Sequence, residues 1–241
     1  GLHVSPDLDT ILYTLTGRLD DGRGWGRQDE TWAALESAAE LGAETWFWLG
    51  DRDLGLHLVR TERLRRGEPL SSVTRSLAAA FGLQPGLLPA TDDRLRTWLT
   101  TPAGEFPFQE WFVARQHRDE VDAVRFEGAG EARAAPGVVE ALDEAELIAI
   151  APSNPYVSIG PILAVAEIRS ALERRRVPAV AISPLIGGKA VRGPADRMLA
   201  RLAGGTSPQQ VADCYRGLID ALVIDEADAG QPGRRRHGLA D

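Results

Sequence analysis

The stretch Ile148-Ala149-Ile150-Ala151-Pro152-Ser153-Asn154-Pro155-Tyr156-Val157-Ser158-Ile159-Gly160-Pro161-Ile162 decides how the rest of the chain is read. Leu147 to Ala151 is a short, continuous apolar run, the way a strand buried on both faces of a parallel sheet is written. It breaks into Pro152-Ser153-Asn154-Pro155, whose prolines pre-set the backbone and whose Ser and Asn offer short polar groups. A second polar turn, Ser158-Ile159-Gly160-Pro161, leads into a helix predicted over 162–176, with Ser158 or Gly160 near its start and Pro161 in its first turn. Strand, polar loop and helix N-terminus together present free backbone N–H groups to an anion. Taken alone, Pro-Ser-Asn-Pro is also a rigid turn and nothing more. Its weight comes from recurrence.

Trp46 to Leu49 is an apolar run that stops at Gly50-Asp51-Arg52-Asp53. Val177 to Ile182 stops at Ser183-Pro184 and continues into Ile186-Gly187-Gly188, and Ala221 to Ile224 stops at Asp225-Glu226. Helical patterns are predicted from Asp29 to the stop at Gly42, over 54–66, over 70–81 with Ser71 or Ser72 as cap, over 136–144 and over 195–203. Ser207-Pro208-Gln209-Gln210 opens one more, with Ser as cap, Pro at the first position and Gln at the capping-box position. Alternating strands and helices predict an α/β fold: a doubly wound, mostly parallel, Rossmann-like sheet with ligands at the carboxyl ends of its strands. Between 87 and 127 short runs, 87–89, 95–101, 105–114 and 121–127, are separated by turns such as Thr91-Asp92-Asp93 and Pro102-Ala103-Gly104 and predict the strands of a small antiparallel β insert. One domain is expected over 1–228, followed by a loop or tail over 229–241.

Composition narrows the function classes. At net charge −8 the chain lacks the basic face that nucleic-acid phosphates demand, although a nucleotide held by helix ends, a few Arg and a magnesium ion stays open. No apolar run approaches the ~20 residues that span a bilayer, so no membrane association is expected. The single cysteine, Cys214, excludes an internal disulfide and reads as a buried small hydrophobe. The four histidines show no close metal-ligand spacing. Asp7 and Asp9, two apart at a helix entrance, read on spacing alone first as caps, and also as hard oxygen ligands for magnesium or as groups that orient a hydroxyl.

Six motifs in one order carry a resemblance. They are Pro6-Asp7-Leu8-Asp9-Thr10 with Leu12-Tyr13; Gly24-Trp25-Gly26 with Glu30-Thr31-Trp32; and Leu49-Gly50-Asp51-Arg52-Asp53 with His57. Phe108-Gln109-Glu110-Trp111, Pro152 to Pro155 with Ser158 to Pro161, and Ser183-Pro184 with Ile186-Gly187 complete the set. Together they resemble the 2-phospho-L-lactate transferase (CofD-like) family of deazaflavin coenzyme F-420 biosynthesis, from the first residues to about Asp228.

The resemblance implies a magnesium-dependent, cytoplasmic transferase. Its donor would be guanylyl-activated phospholactate or phosphoenolpyruvate, its acceptor the ribityl hydroxyl of 7,8-didemethyl-8-hydroxy-5-deazariboflavin, and GMP would leave. By that resemblance Asp9 contacts the acceptor near the metal and Asp7 supports it, both as catalytic and metal-binding residues. Trp48, two before Gly50, matches an acceptor-contacting position through its backbone, and Gly50 and Asp51 belong to the substrate site. Ser153, Asn154, Ser158 and Gly160 line the guanine-nucleotide side, with Ser183 and Gly187. A homodimer is the implied assembly, although no patch in the sequence marks an interface. The Gly-rich phosphate loop and the Asn-x-x-(Asp/Glu)-Asp strand of the family do not occur in this sequence, nor does a further strand and helix after Asp225-Glu226. The chain therefore reads as truncated at both ends and is expected to be inactive or unstable alone; donor turnover by these residues would overturn that. A CofD-like nucleotide-sugar-binding regulator and a truncated pseudoenzyme are the alternatives.

Overall fold

The structure, a computed structural model, describes residues 1–84 and 86–230. They divide into two compact units, one of residues 1–92 with 135–137 and one of the rest. The end of the predicted tail, 231–241, lies outside the described residues.

The first unit is helical: α1 (Pro6–Leu15), α2 (Ala33–Glu40), α3 (Asp51–Arg65) and α4 (Leu70–Ala80). Leu12 and Tyr13 of α1, Leu56 of α3 and Val73, Leu77 and Ala78 of α4 form its core, with Leu19, Phe81 and Leu87 against them. These positions follow the i, i+3, i+4 spacing of an amphipathic helix, so burying one stripe holds each helix in place. Neither Ser71 nor Ser72 caps α4. Asp92 does, accepting from the Ser71 N–H at 2.6 Å and the Ser71 hydroxyl at 2.8 Å.

Trp46–Leu49 is not a strand. Among the described residues no partner strand hydrogen-bonds to it, and an unpaired strand leaves its ladder groups unmet. Its aromatic side chains pack instead: Trp46 meets Phe47 edge-on at 5.7 Å and Trp48 meets Trp32 at 6.3 Å.

The second unit opens with an antiparallel sheet, β1 (Arg96–Thr101), β2 (Gly104–Pro107) and β3 (Ala123–Glu127), in the order β2-β1-β3. This is the predicted insert with two corrections. Leu87–Pro89 is not a strand, because Leu87 is drawn into the first unit's core. Glu110–Ala114 is a helical turn, which folds Trp111 and Phe112 back beside Phe108. Trp111, 1% exposed, anchors the local core with Leu99, Val121, Val157 and Met198.

After α5 (Val138–Asp143) comes the parallel sheet: β4 (Ile148–Ile150), β5 (Ala179–Ile182) and β8 (Ala221–Val223), in the order β4-β5-β8. Ile148, Ile150, Ala179 and Ala181 are buried, whereas Leu147, Ala149, Ile182 and Val223 stay exposed. The helix predicted over 162–176 begins earlier and is interrupted. The chain turns helical at Pro155, because the Asn154 carboxamide oxygen accepts from the N–H groups of Tyr156 and Val157. It continues as α6 (Gly160–Leu163), opens at Val165, whose ψ of 111° is extended, and resumes as α7 (Ala166–Glu173). A short hairpin, β6 (Leu185–Ile186) and β7 (Lys189–Ala190), precedes α8 (Ala195–Ala203) and α9 (Pro208–Cys214). The capping box at Ser207 and Gln210 is formed as its spacing predicts.

Candidate active site

Asp9 lies on the inner face of α1 with Leu12 and Tyr13 and is 5% exposed. Three and four residues separate them, one helical stripe. Opposite stands a stripe of α3: Asp53, Leu56, His57, Arg60 and Thr61, all buried. The two stripes meet in crossed polar pairs. Both Asp9 carboxylate oxygens accept from the Arg60 guanidinium, and the Tyr13 hydroxyl donates to Asp53 at 2.6 Å. The His57 Nδ1 sits 3.2 Å from an Arg60 nitrogen and 3.8 Å from Asp9.

Burial sets the protonation of this cluster. It pushes the Asp9 carboxyl up, with Arg60 offsetting part of the effect, and it also raises Asp53 against the pull of Tyr13 and His57. It lowers His57 to about 4, reinforced by the Arg60 charge, so the imidazole is neutral at neutral pH. The Tyr13 hydroxyl is pushed up by burial and by its bond to Asp53. Arg60 keeps a buried Nε without a partner. Nothing in the motif pattern singles out Arg60; its signal is a charged residue four after Leu56 on a stripe that must be inside.

Asp7 points elsewhere. Its side chain is exposed by surface area yet crowded by protein, and this desolvation, then the Asp9 charge, raises its carboxyl. It makes no hydrogen bond or ion pair among the described residues. No group of three His, Cys, Asp or Glu among the described residues is arranged to hold a metal. Of the two expected metal ligands, Asp9 is committed to Arg60 and Asp7 is open. One open carboxylate suits magnesium, which usually takes one or two carboxylates together with substrate phosphates.

Gly50 and Asp51 join two helix ends by reciprocal capping. Asp51, the first residue of α3, accepts from the Thr31 hydroxyl and from the N–H groups of Ala33 and Ala34 at the start of α2, at 3.1 and 3.0 Å. Glu30, just before α2, accepts from the N–H groups of Arg52 and Asp53 at the start of α3, at 2.8 and 2.9 Å. Each helix end thus offers its orphan N–H groups to a carboxylate from the other. The bond to Thr31 comes first among the causes that lower the Asp51 carboxyl. Gly50 is required because the Glu30 side chain lies across its α-carbon, where a Cβ would overlap it. Trp48, 58% exposed, faces a shallow groove with Trp32, Leu35, Glu36, Ala39 and Thr45.

In the second unit, the Ser153–Asn154 and Ser183 loops leave adjacent parallel strands at the same end. Asn154 is spent as a cap, its Nδ2 also reaching the Met198 sulfur at 3.3 Å. The hydroxyls of Ser153 and Ser158 are half-buried and unengaged among the described residues. Gly160 admits the Phe126 ring, which a Cβ would meet at 2.8 Å. The Ser183 hydroxyl turns back on Leu185, accepting its N–H at 3.2 Å. Gly187 and Gly188 make the hairpin turn at positive φ, and their N–H groups donate to the buried Asp228 carboxylate at 3.0 and 2.8 Å.

The family description "2-phospho-L-lactate transferase CofD" matches residues 1–237. The chain belongs to the CofD family. Membership makes it a phosphoryl-group transferase. It is 44% identical over 245 residues to a protein of Mycolicibacterium smegmatis named phosphoenolpyruvate transferase, covering 96% of this chain and 74% of that protein. A Streptomyces griseus protein of the same name is 46% identical over 238 residues, covering 95% and 74%. Among solved structures, the CofD chain resembles protein BH3568 of Bacillus halodurans with a TM-score of 0.52 at 16% identity, which speaks for the fold alone. That match covers 97% of this chain and 62% of the other, so the chain spans under two thirds of that structure's length. No helix among the described residues is long and apolar enough to cross a membrane.

Proposed function

We propose that the protein transfers a phosphoenolpyruvyl group from a guanylyl-activated donor to the ribityl hydroxyl of the deazaflavin, in cytoplasmic coenzyme F-420 biosynthesis. The hydroxyl oxygen attacks the phosphorus that bears the enolpyruvyl group, the bond to the GMP oxygen breaks, and the hydroxyl proton is released. A phosphodiester and GMP result. The observation that carries this reading is the identity of 44 and 46%, over nearly the whole chain, to proteins named phosphoenolpyruvate transferase. Those names favour the enolpyruvyl over the lactyl donor.

Roles follow from what each side chain has free. The open Asp7 carboxylate is the group to hold magnesium, which would supply charge neutralisation at the donor phosphates. Asp9, held by Arg60, shapes the wall beneath it. The Trp32 and Trp48 groove offers flat apolar faces to the deazaflavin ring. The Ser153 and Ser158 hydroxyls are donors for the nucleotide.

The test incubates the protein with magnesium, the deazaflavin and each donor in turn and follows products by mass spectrometry. A new phosphodiester with GMP release supports the reading, its mass names the donor, and chelating the magnesium should stop it. A folded protein that forms neither product, and binds a nucleotide sugar but no deazaflavin, would sink the proposal in favour of a regulator.

A further inference from the structure

The loop from Arg18 to Gln28 holds three arginines, of which one is satisfied. Leu19 pairs antiparallel with Arg27, and the loop is tied by Arg18 N–H to Tyr13 carbonyl at 2.8 Å, Gln28 N–H to Arg18 carbonyl at 2.9 Å and Asp20 N–H to Gly26 carbonyl at 3.1 Å. Arg23 is bound to Asp20 at 2.8 Å and donates to the Arg27 carbonyl at 3.0 Å, closing the loop from inside. Among the described residues, Arg18 and Arg27 have no such carboxylate. Their guanidinium carbons lie 4.9 and 5.3 Å from the centroid of the Phe81 ring, and Arg27 also lies 5.8 Å from that of Tyr13. Both are half-buried, and both carry an Nε that is buried without an acceptor.

A guanidinium cannot shed its charge to escape burial, as a lysine or histidine does. Aromatic faces offset only part of the desolvation of two cations, and they satisfy none of the in-plane N–H donors. In a chain of net charge −8, two cations packed on one ring and without a carboxylate among the described residues call for an anion from outside. The planar fork of each matches an oxyanion in two-point contact. We infer that Arg18 and Arg27, backed by Phe81 and held by the tied loop, form a site for one oxyanion, a phosphate or a carboxylate. The inference does not depend on turnover. If the transferase reading holds, the site supplies an anchor for an anionic end of a substrate.

Calorimetric titration of the protein with inorganic pyrophosphate and, separately, with oxalate tests it, the two arms distinguishing phosphate from carboxylate. Saturable binding of at least one is expected. Arg18→Lys and Arg27→Lys keep the charge but lose the fork, and each should weaken binding about tenfold or more with little change in thermal midpoint. Arg18→Gln and Arg27→Gln should weaken it further, and the pair together little beyond the worse single variant, as expected for groups sharing one ligand. No saturable binding of either anion, binding unchanged in the variants, or losses that simply add would each overturn the shared site.

Discussion

Acidification should unfold the first unit through His57. The ring is 2% exposed and stands 3.2 Å from an Arg60 nitrogen, so protonation would bury a second cation beside the first. Burial, with the Arg60 charge next, takes its pKa from 6.5 to about 4. The unfolded chain keeps the ordinary value and therefore binds more protons in that interval. Stability from His57 is thus complete above pH 6.5 and is lost as the pH falls through the folded value of about 4. At 1.36 kcal/mol per unit, the full interval is worth about 3 kcal/mol, most of which has gone by roughly pH 4.5. Asp7, Asp9 and Asp53 work in the opposite sense, since carboxyls raised by burial favour the folded state when protonated. The wild-type profile alone mixes the two, and comparison with His57→Gln isolates the part that depends on His57, including its effect on Asp53. Urea unfolding near pH 7.5 should show the variant less stable, and near pH 4.5 the gap should narrow by about 2–3 kcal/mol. Parallel stability profiles, or a titration of the His57 ring by NMR in the ordinary range, would refute the reasoning.

Two further predictions concern stability. Asp9→Ala leaves Arg60 buried without its carboxylate and should cost about 3–5 kcal/mol, enough to confuse any activity assay with unfolding; a loss under about 1 kcal/mol in denaturant would mean the pair is not closed in solution. Gly50→Ala places a methyl against Glu30 and should cost about 2 kcal/mol, whereas on a Glu30→Ala background it should cost almost nothing; equal losses on both backgrounds would remove the crossed caps as the reason for this glycine.

The parallel sheet was legible because each strand announces itself locally. Ile148–Ile150, Ala179–Ile182 and Ala221–Val223 lie in apolar runs with abrupt polar stops, and Ser207 to Gln210 states its capping box within four residues. Trp46–Leu49 carries the same signal without being a strand, since strand identity also needs a neighbour that no local pattern specifies. The contacts made by the candidate residues were not legible in the same way. Glu30 and Asp51 each look like a helix-entry acid for their own helix, and the crossing depends on which helix ends meet across a separation of 17 to 23 residues.

The aspartates of α1 show how far elementary geometry carries and where it stops. Residues two apart on a helix point roughly 200° from one another, so Asp7 and Asp9 cannot share a face. Asp9 shares the stripe of Leu12 and Tyr13 and must go in, while Asp7 must stay out. A buried carboxylate needs a partner, and that need predicts a cation on whichever helix packs against α1. Only the packing shows that the helix is α3 and the cation Arg60. Under the proposed function the same logic separates the two as ligand groups: the carboxylate already held by a guanidinium would organise the wall of the site, and the unpaired one two residues earlier would be left to meet what enters it.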